Sequence, residues 1–189
     1  SLSKTDAAVI LHANALPLCS SDAIVCESPY LAYAKVAHLF MPKPEIAISV
    51  HPSACIHPTA QIAPSCSIAA NVVIGANVSL GDNVIIHAGV VIGDRCVLGK
   101  GCRIMANVTL YHDCFLDEGV TIHSGTIIGS EGFGHAQDAN KHWVPIPQLG
   151  KVLIGKNTEI GANTTIEIHC LQIIHGGGIG VGDGVVVID

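Results

Sequence analysis

From Ile56 to Ile128 every sixth residue is Ile or Leu: Ile56, Ile62, Ile68, Ile74, Leu80, Ile86, Ile92, Leu98, Ile104, Leu110, Leu116, Ile122 and Ile128. The series resumes in shifted phase at Ile154, Ile160 and Ile166. Neither the 3.6-residue turn of a helix nor the two-residue alternation of a strand repeats at six. A fixed short period of this kind marks a solenoid, in which stacked coils bury one continuous core.

The rest of the six-residue unit agrees. Two residues before each large aliphatic stands a smaller one: Ala54, Ala60, Cys66, Val72, Val78, Val84, Val90, Cys96, Cys102, Val108, Cys114, Val120 and Thr126. In an extended segment, residues two apart share a face, so both point inward. Three residues after the aliphatic comes a turn former: Asn71, Asn77, Asn83, Gly89, Gly101, Asn107, Asp113, Gly119 or Gly125, with Thr59, Ser65 and Arg95 as exceptions. Asn, Asp and Gly tolerate the left-handed angles of a sharp corner. Short strand and corner therefore alternate, three hexads to a coil, in an all-β, parallel β-helix over residues 46–189. Aromatics at 4% and charged residues at 13% suit a thin prism with room for Ile and little else.

Composition also excludes several functions. The net charge of −6, with no basic stripe, gives nucleic acid nothing to bind. No run of about 18 apolar residues could span a membrane. Of the eight Cys, Cys66, Cys96, Cys102 and Cys114 occupy the small inward position, and no CxxC pair exists. They read as buried core thiols in a reducing cytoplasm, neither disulfides nor zinc ligands.

Residues 1–45 do not follow the repeat. Residues 7–11 and 23–26 read as short buried strands joined by a loop containing Pro and Ser. Ser28-Pro29 opens a helix through about Phe40, as an N-cap followed by Pro at the first helical position. Met41-Pro42-Lys43-Pro44 ends it as a stiff linker. This segment is expected to be the trailing part of a small α/β domain. Residues 129–151 interrupt the ladder and hold the single Trp. A solenoid tolerates insertion at a corner. The sequence leaves two readings open: an extruded loop packed on the prism, or a flap lining a substrate groove through Phe133, His135 and Trp143.

Eleven His is a high count. His57, His87 and His123 directly follow ladder residues, and His112 lies near a corner. They read as solvated or subunit-interface corner residues. His87 and His123 fall on one edge two coils apart, too far to share a ligand within one chain. Their spacing matches two zinc ligands of the γ-class carbonic anhydrases, but the position of the third is Ile128, so no metal is expected. Hexapeptide-repeat proteins are mostly trimeric acyltransferases with clefts between prisms, where a His takes a proton from the attacking amine or hydroxyl.

Across its length the sequence resembles the UDP-3-O-acylglucosamine N-acyltransferases of lipid A synthesis. The stretches that carry this are Ser28-Pro29-Tyr30-Leu31-Ala32-Tyr33-Ala34-Lys35, Ala106-Asn107-Val108-Thr109-Leu110-Tyr111-His112, Gly132-Phe133-Gly134, Ile146-Pro147-Gln148-Leu149-Gly150, and Glu159-Ile160-Gly161-Ala162-Asn163-Thr164-Thr165-Ile166. The hexads alone point only to acyltransferases. The insertion is far more specific and sets the sister UDP-N-acetylglucosamine O-acyltransferases second. A non-catalytic β-helix scaffold is the alternative from another class. The resemblance implies left-handed coils and a UDP-sugar-binding type of N-terminal domain. It further implies a cytoplasmic homotrimer that transfers a 3-hydroxyacyl chain from acyl carrier protein to the 2-amino group of UDP-3-O-acylglucosamine. No cofactor is implied, since the carrier brings its own phosphopantetheine.

Two departures stand out. The family's general-base His lies in a His-Asn pair, which this sequence lacks; the base is expected beyond Asp189, leaving a fragment inactive alone. After Ile166 the pattern reads Glu167-Ile168-His169-Cys170-Leu171-Gln172-Ile173-Ile174-His175, with Gln at ladder position 172, so the hexad phase is expected to be lost. A shifted reading frame over this stretch is favoured over divergence. His169 and His175 sit in no hexad, which counts against either as a substitute base.

Overall fold

The computed structural model describes residues 4–40, 48–168, 172–174 and 178–179, with side chains through Ile168. The chain divides into two compact units, Ser1–Glu45 and Ile46–Asp189. The linker motif at 41–44, His169, His175 and residues 181–189 lie outside the described residues.

In the first unit, Val9–Leu11 and Ala23–Val25 pair in parallel, with Val9 opposite Ala23. The segment between them, expected as a plain loop, carries a 3-10 helix, Ala13–Leu18. His12 caps it, Nδ1 accepting from the Asn14 N–H at 3.3 Å. The helix Pro29–Phe40 follows as expected, its first bond running from the Ala32 N–H to the Ser28 carbonyl at 3.0 Å. The two strands are not buried as expected: of the described residues of this unit only Leu11 is buried, and Ile24 and Val25 are exposed.

The second unit is a triangular prism with three six-stranded parallel sheets. Sheet A carries ladder residues Ile56, Ile74, Ile92, Leu110, Ile128 and Ile166 in register. Sheet B carries Ile62, Leu80, Leu98, Leu116 and Ile154. Sheet C carries Ile68, Ile86, Ile104, Ile122 and Ile160. The chain winds A to B to C, and each residue of a ladder sits directly over its counterpart one coil away. Most ladder strands are only two residues long, enough to point one side chain in and one out. From Ile68 to Ile166 the ladder side chains and their apolar small partners are buried in one cluster. Thr126, Thr158 and Thr164 take the small position without cost, because each hydroxyl donates to a carbonyl at 2.7–2.9 Å.

The corners follow the expected chemistry and add one member. Asn71, Asn77, Asn83, Asn107, Asp113, Asn157 and Asn163 have φ of 54–59°, and Gly89, Gly101, Gly119 and Gly125 have φ of 71–75°. Arg95 joins them at φ 61° although its type does not favour that region. Corner N–H groups donate to the carbonyl of the coil above, as from Asn107 to Ala88 at 3.1 Å. At the N-terminal end, hydroxyls take over that role. The N–H groups of Asn71, Asn77 and Asn83 donate to Ser53 Oγ, Thr59 Oγ1 and Ser65 Oγ, each at 2.9 Å. This is how Thr59 and Ser65 serve a corner without left-handed angles.

The four core thiols are buried, as expected. Burial pushes the Cys102 thiol up to about 11 and raises that of Cys66. The seven described cysteines are all free.

The ladder after Ile166 departs from expectation. Ile168 is buried at the end of the strand Thr165–Ile168, and Gln172–Ile174 then pairs with Val152–Ile154. The backbone thus sets Ile174 against Ile154, 20 residues on, where earlier coils take 18. The phase slips by two residues and is not lost; Gln172 falls opposite the small residue Val152.

Candidate active site

The insertion leaves the prism where sheet A turns toward sheet B. Earlier coils make the same corner at His57–Thr59, Gly75–Asn77, Gly93–Arg95 and Tyr111–Asp113, so the flap continues one edge of the prism. The strand Ile127–Glu131 runs past its ladder residue and bulges between Ile128 and Ser130. Gly129 makes that bulge at φ 82°, where an added Cβ would lie 2.7 Å from Cys114 Sγ. A β-bulge at this point redirects the chain out of the coil.

Outside the prism the flap folds into an antiparallel hairpin of His135–Gln137 and Trp143–Pro145. Asp138 builds the turn, its Oδ1 accepting from the Asn140 and His142 N–H groups at 2.8 and 2.9 Å. The Ile146 N–H reaches back to the Gly134 carbonyl at 2.9 Å and closes the base.

Phe133, His135 and Trp143, the three residues singled out in the sequence, come together here. They line a cavity of about 240 Å³. The Phe133 and His135 rings stand 4.7 Å apart, tilted by 47°. Phe133 is 90% exposed and Trp143 66% exposed, and Ile146 and Leu149 of the flap are exposed as well. A patch of large apolar side chains held open to solvent is where an apolar ligand or partner gains most by binding.

One coil above the root of the flap lies a cluster of charged residues. The Arg95 guanidinium donates twice to Asp113, Nε to Oδ1 at 2.9 Å and Nη2 to Oδ2 at 2.7 Å. His112 Nδ1 meets Asp113 Oδ2 at 2.9 Å. Arg95, and secondarily His112, hold the Asp113 carboxyl down at about 2, so it is ionised at any working pH. Sequence reading gave His112 only as a corner residue. The missed signal was opposite charge at a spacing of 18, which sets Arg95 over Asp113 on one edge.

The other imidazoles sort differently. His87 and His123 share the edge from sheet C to sheet A, with Met105 on the coil between them. His123 Nε2 bonds Glu159 Oε1 at 2.7 Å. Among the described residues, no group of three or more His, Cys, Asp or Glu could hold a metal ion.

Comparison with known proteins places this geometry. The family model described as bacterial transferase hexapeptide (six repeats) matches residues 61–94 and 77–112. A UDP-3-O-acylglucosamine N-acyltransferase from Pseudomonas putida KT2440 is 42% identical over 178 residues, covering 94% of this chain and 49% of the relative. One from Xanthomonas oryzae pv. oryzae is 46% identical over 166 residues, covering 88% of this chain and 49% of the relative. Over nearly all of its length, this chain is homologous to UDP-3-O-acylglucosamine N-acyltransferases. It spans about half the length of the curated relatives it matches. Among solved structures, PerB from Caulobacter crescentus in complex with CoA and GDP-perosamine aligns with a TM-score of 0.50 at 20% identity, covering 87% of this chain and 73% of that one. That likeness is one of fold. The fold class is the all-β, left-handed parallel β-helix of hexapeptide repeats, preceded by a small α/β segment.

Proposed function

We propose that this chain belongs to an N-acyltransferase that moves a 3-hydroxyacyl chain from acyl carrier protein to the 2-amino group of UDP-3-O-acylglucosamine, in lipid A synthesis. The observation that carries the reading is identity of 42% to an enzyme so named, over 94% of this chain, flap included. The flap adds physical support. Phe133 and Trp143 offer exposed apolar rings suited to an acyl chain, and His135 sets one polar group among them.

On this reading the reaction consumes no metal or nucleotide cofactor, because the carrier protein delivers its own phosphopantetheine thioester. The working assembly is a homotrimer in the cytoplasm, with clefts between neighbouring prisms. No described helix is long and apolar enough to cross a membrane. Residues 1–45 belong to the part that holds the UDP-sugar.

The single Trp makes the test direct, since its emission reports the flap alone. Titrating UDP-3-O-acylglucosamine should shift Trp143 emission to the blue, and Phe133→Ala should weaken that response. Assayed in the intact protein to which this chain belongs, with a 3-hydroxyacyl carrier protein added, mass spectrometry should find the amide product. An unshifted Trp143 together with no product would leave the scaffold reading in place of the enzyme.

A further inference from the structure

We propose that Cys96 and Cys114 are a redox-active dithiol that closes to a reversible disulfide beneath the root of the flap. The pair belongs to the prism itself and stands apart from the acyl-transfer reading.

Three observations single it out. First, the two thiols stack. Val97 pairs with Phe115 and Leu98 with Leu116 in parallel register, so Cys96 lies over Cys114 on consecutive coils, and both are buried in the core. The strand spacing puts their Cα atoms about 4.8 Å apart, within the roughly 4.4–6.8 Å that a disulfide spans. The two side chains are in hydrogen-bond contact.

Second, the flap has unseated one of them. The other core thiols donate to the corner carbonyl 15 residues further on: Cys66 to Gly81 at 3.2 Å, Cys96 to Tyr111 at 2.9 Å and Cys102 to Asp117 at 3.1 Å. For Cys114 the same step ends at Gly129, the residue of the bulge. Cys114 Sγ finds the His112 and Ile128 carbonyls only at 3.8 Å each. Gly129 packs against the sulfur without bonding it, since an added Cβ would lie 2.7 Å away. The bulge that sends the flap out thus takes from Cys114 the short bond that fixes its three counterparts, and leaves its thiol to Cys96.

Third, the pair is polarised. Contact with the Cys114 thiol lowers the Cys96 pKa, against the effect of burial, and the same contact raises that of Cys114. Cys96 is therefore the sulfur that ionises and attacks, and Cys114 keeps its proton until the second step.

No other described thiols of the prism stand this way. Cys66 and Cys102 share an edge, but Val84 lies on the coil between them, which sets them about 9.6 Å apart and beyond a disulfide's reach. Cys55 is exposed on sheet A, with Val73 as its neighbour.

Burial decides the oxidant. Neither thiol is open to solvent, so the reagent is a small peroxide, and local opening at the flap root sets the rate. The Cys96 thiolate attacks one peroxide oxygen and the O–O bond breaks. Cys96 becomes a sulfenic acid, and the departing hydroxide takes up the proton that Cys96 released, giving water. Cys114 sulfur then attacks Cys96 sulfur. The S–S bond forms, the S–O bond breaks, and hydroxide leaves with the Cys114 proton as a second water. The two thiols lose two electrons and hydrogen peroxide gains them. A reducing dithiol reverses the bond by two exchanges, so in a reducing compartment it is transient.

Trypsin makes the test direct. Its sites at Arg95, Lys100, Arg103 and Lys141 put Cys96, Cys102 and Cys114 in three separate peptides, residues 96–100, 101–103 and 104–141. The native chain is treated with hydrogen peroxide, its remaining thiols are blocked with N-ethylmaleimide in denaturant, and the unreduced digest is read by mass spectrometry. Peptides 96–100 and 104–141 should appear joined, two hydrogens lighter than their sum, and should part with dithiothreitol. The 101–103 peptide should carry a blocked thiol. In Cys114→Ala the 96–100 peptide should be recovered unjoined; Ala54 and Ala60 already fill the same inward position, and circular dichroism checks that the fold is kept. Recovery of Cys96 and Cys114 as blocked thiols, after exposed Cys55 has been oxidised, overturns the inference. So does a digest in which 96–100 is joined to 101–103 as often as to 104–141, since that is random pairing in an opened chain.

Discussion

Replacing Ile104 by Ala probes how far one coil depends on the next. Ile104 is fully buried, with Ile86 directly above it and Ile122 below. The change removes three carbons, about 2.4 kcal/mol of transfer free energy at roughly 0.8 kcal/mol each. The thin core cannot collapse without breaking strand register, so a cavity term brings the loss to about 3–4 kcal/mol. Ile86→Ala should cost a similar amount. The two side chains share one stretch of core, so the double variant opens a single merged cavity. Its cost should therefore differ from the sum by about 0.5–1.5 kcal/mol. Ile104 and Ile160 are separated by the coil of Ile122, and that pair should add within about 0.5 kcal/mol. Arg103→Ala, on the same strand but facing out, should cost under about 0.5 kcal/mol. The assay is urea unfolding followed by circular dichroism, with the m-value checked, since a fall in m would show coils unfolding separately. An Ile104→Ala loss below about 1 kcal/mol, or equal additivity for near and far pairs, would refute a continuous core built from nearest-neighbour contacts.

Gly125 sits at φ 75°, and an added Cβ would collide with the Asn163 side chain of the next coil. Gly125→Ala should therefore lose more than the roughly 1–2 kcal/mol of left-handed strain alone, and adding Asn163→Gly should recover part of it, as read by thermal unfolding. Native alkylation with iodoacetamide at pH 8 should label exposed Cys55 and spare Cys66, Cys96, Cys102 and Cys114, as peptide mapping will show. Because Asp113 titrates lower in the folded chain than its ordinary value of 3.8, its contribution is present above that value and is lost as pH falls from about 4 to about 2. Asp113→Asn should flatten that acid limb of the stability curve, by under about 1 kcal/mol given the solvent exposure of the pair.

The prism was legible because a six-residue period leaves no other regular structure, and because inward and outward positions differ in residue type at every coil. The place of the flap was legible for the same reason, as a gap between Ile128 and Ile154. Other features were not. Arg95 carries no preference for left-handed angles, and only the ion pair with Asp113, 18 residues away, explains its presence at a corner. The slip after Ile166 was read as loss of phase because a sequence period assumes coils of constant length. The strand Thr165–Ile168 instead follows the lengthened strand Ile127–Glu131 and buries Ile168, and this adds two residues before Ile174. The gathering of Phe133, His135 and Trp143 depends on a hairpin whose register is set by the Asp138 turn, which hydrophobic periodicity does not report.

The coil of 18 residues makes sequence position a coordinate. A step of 18 moves a residue about 4.8 Å along one edge, and a step of six carries it to the next face. Lengthening the chain ahead of the flap by a whole coil would slide the flap along its edge without turning it. Lengthening it by a single hexad would swing it round the prism, away from His112. Duplication of whole coils is therefore the change in length that keeps the groups of this edge aligned.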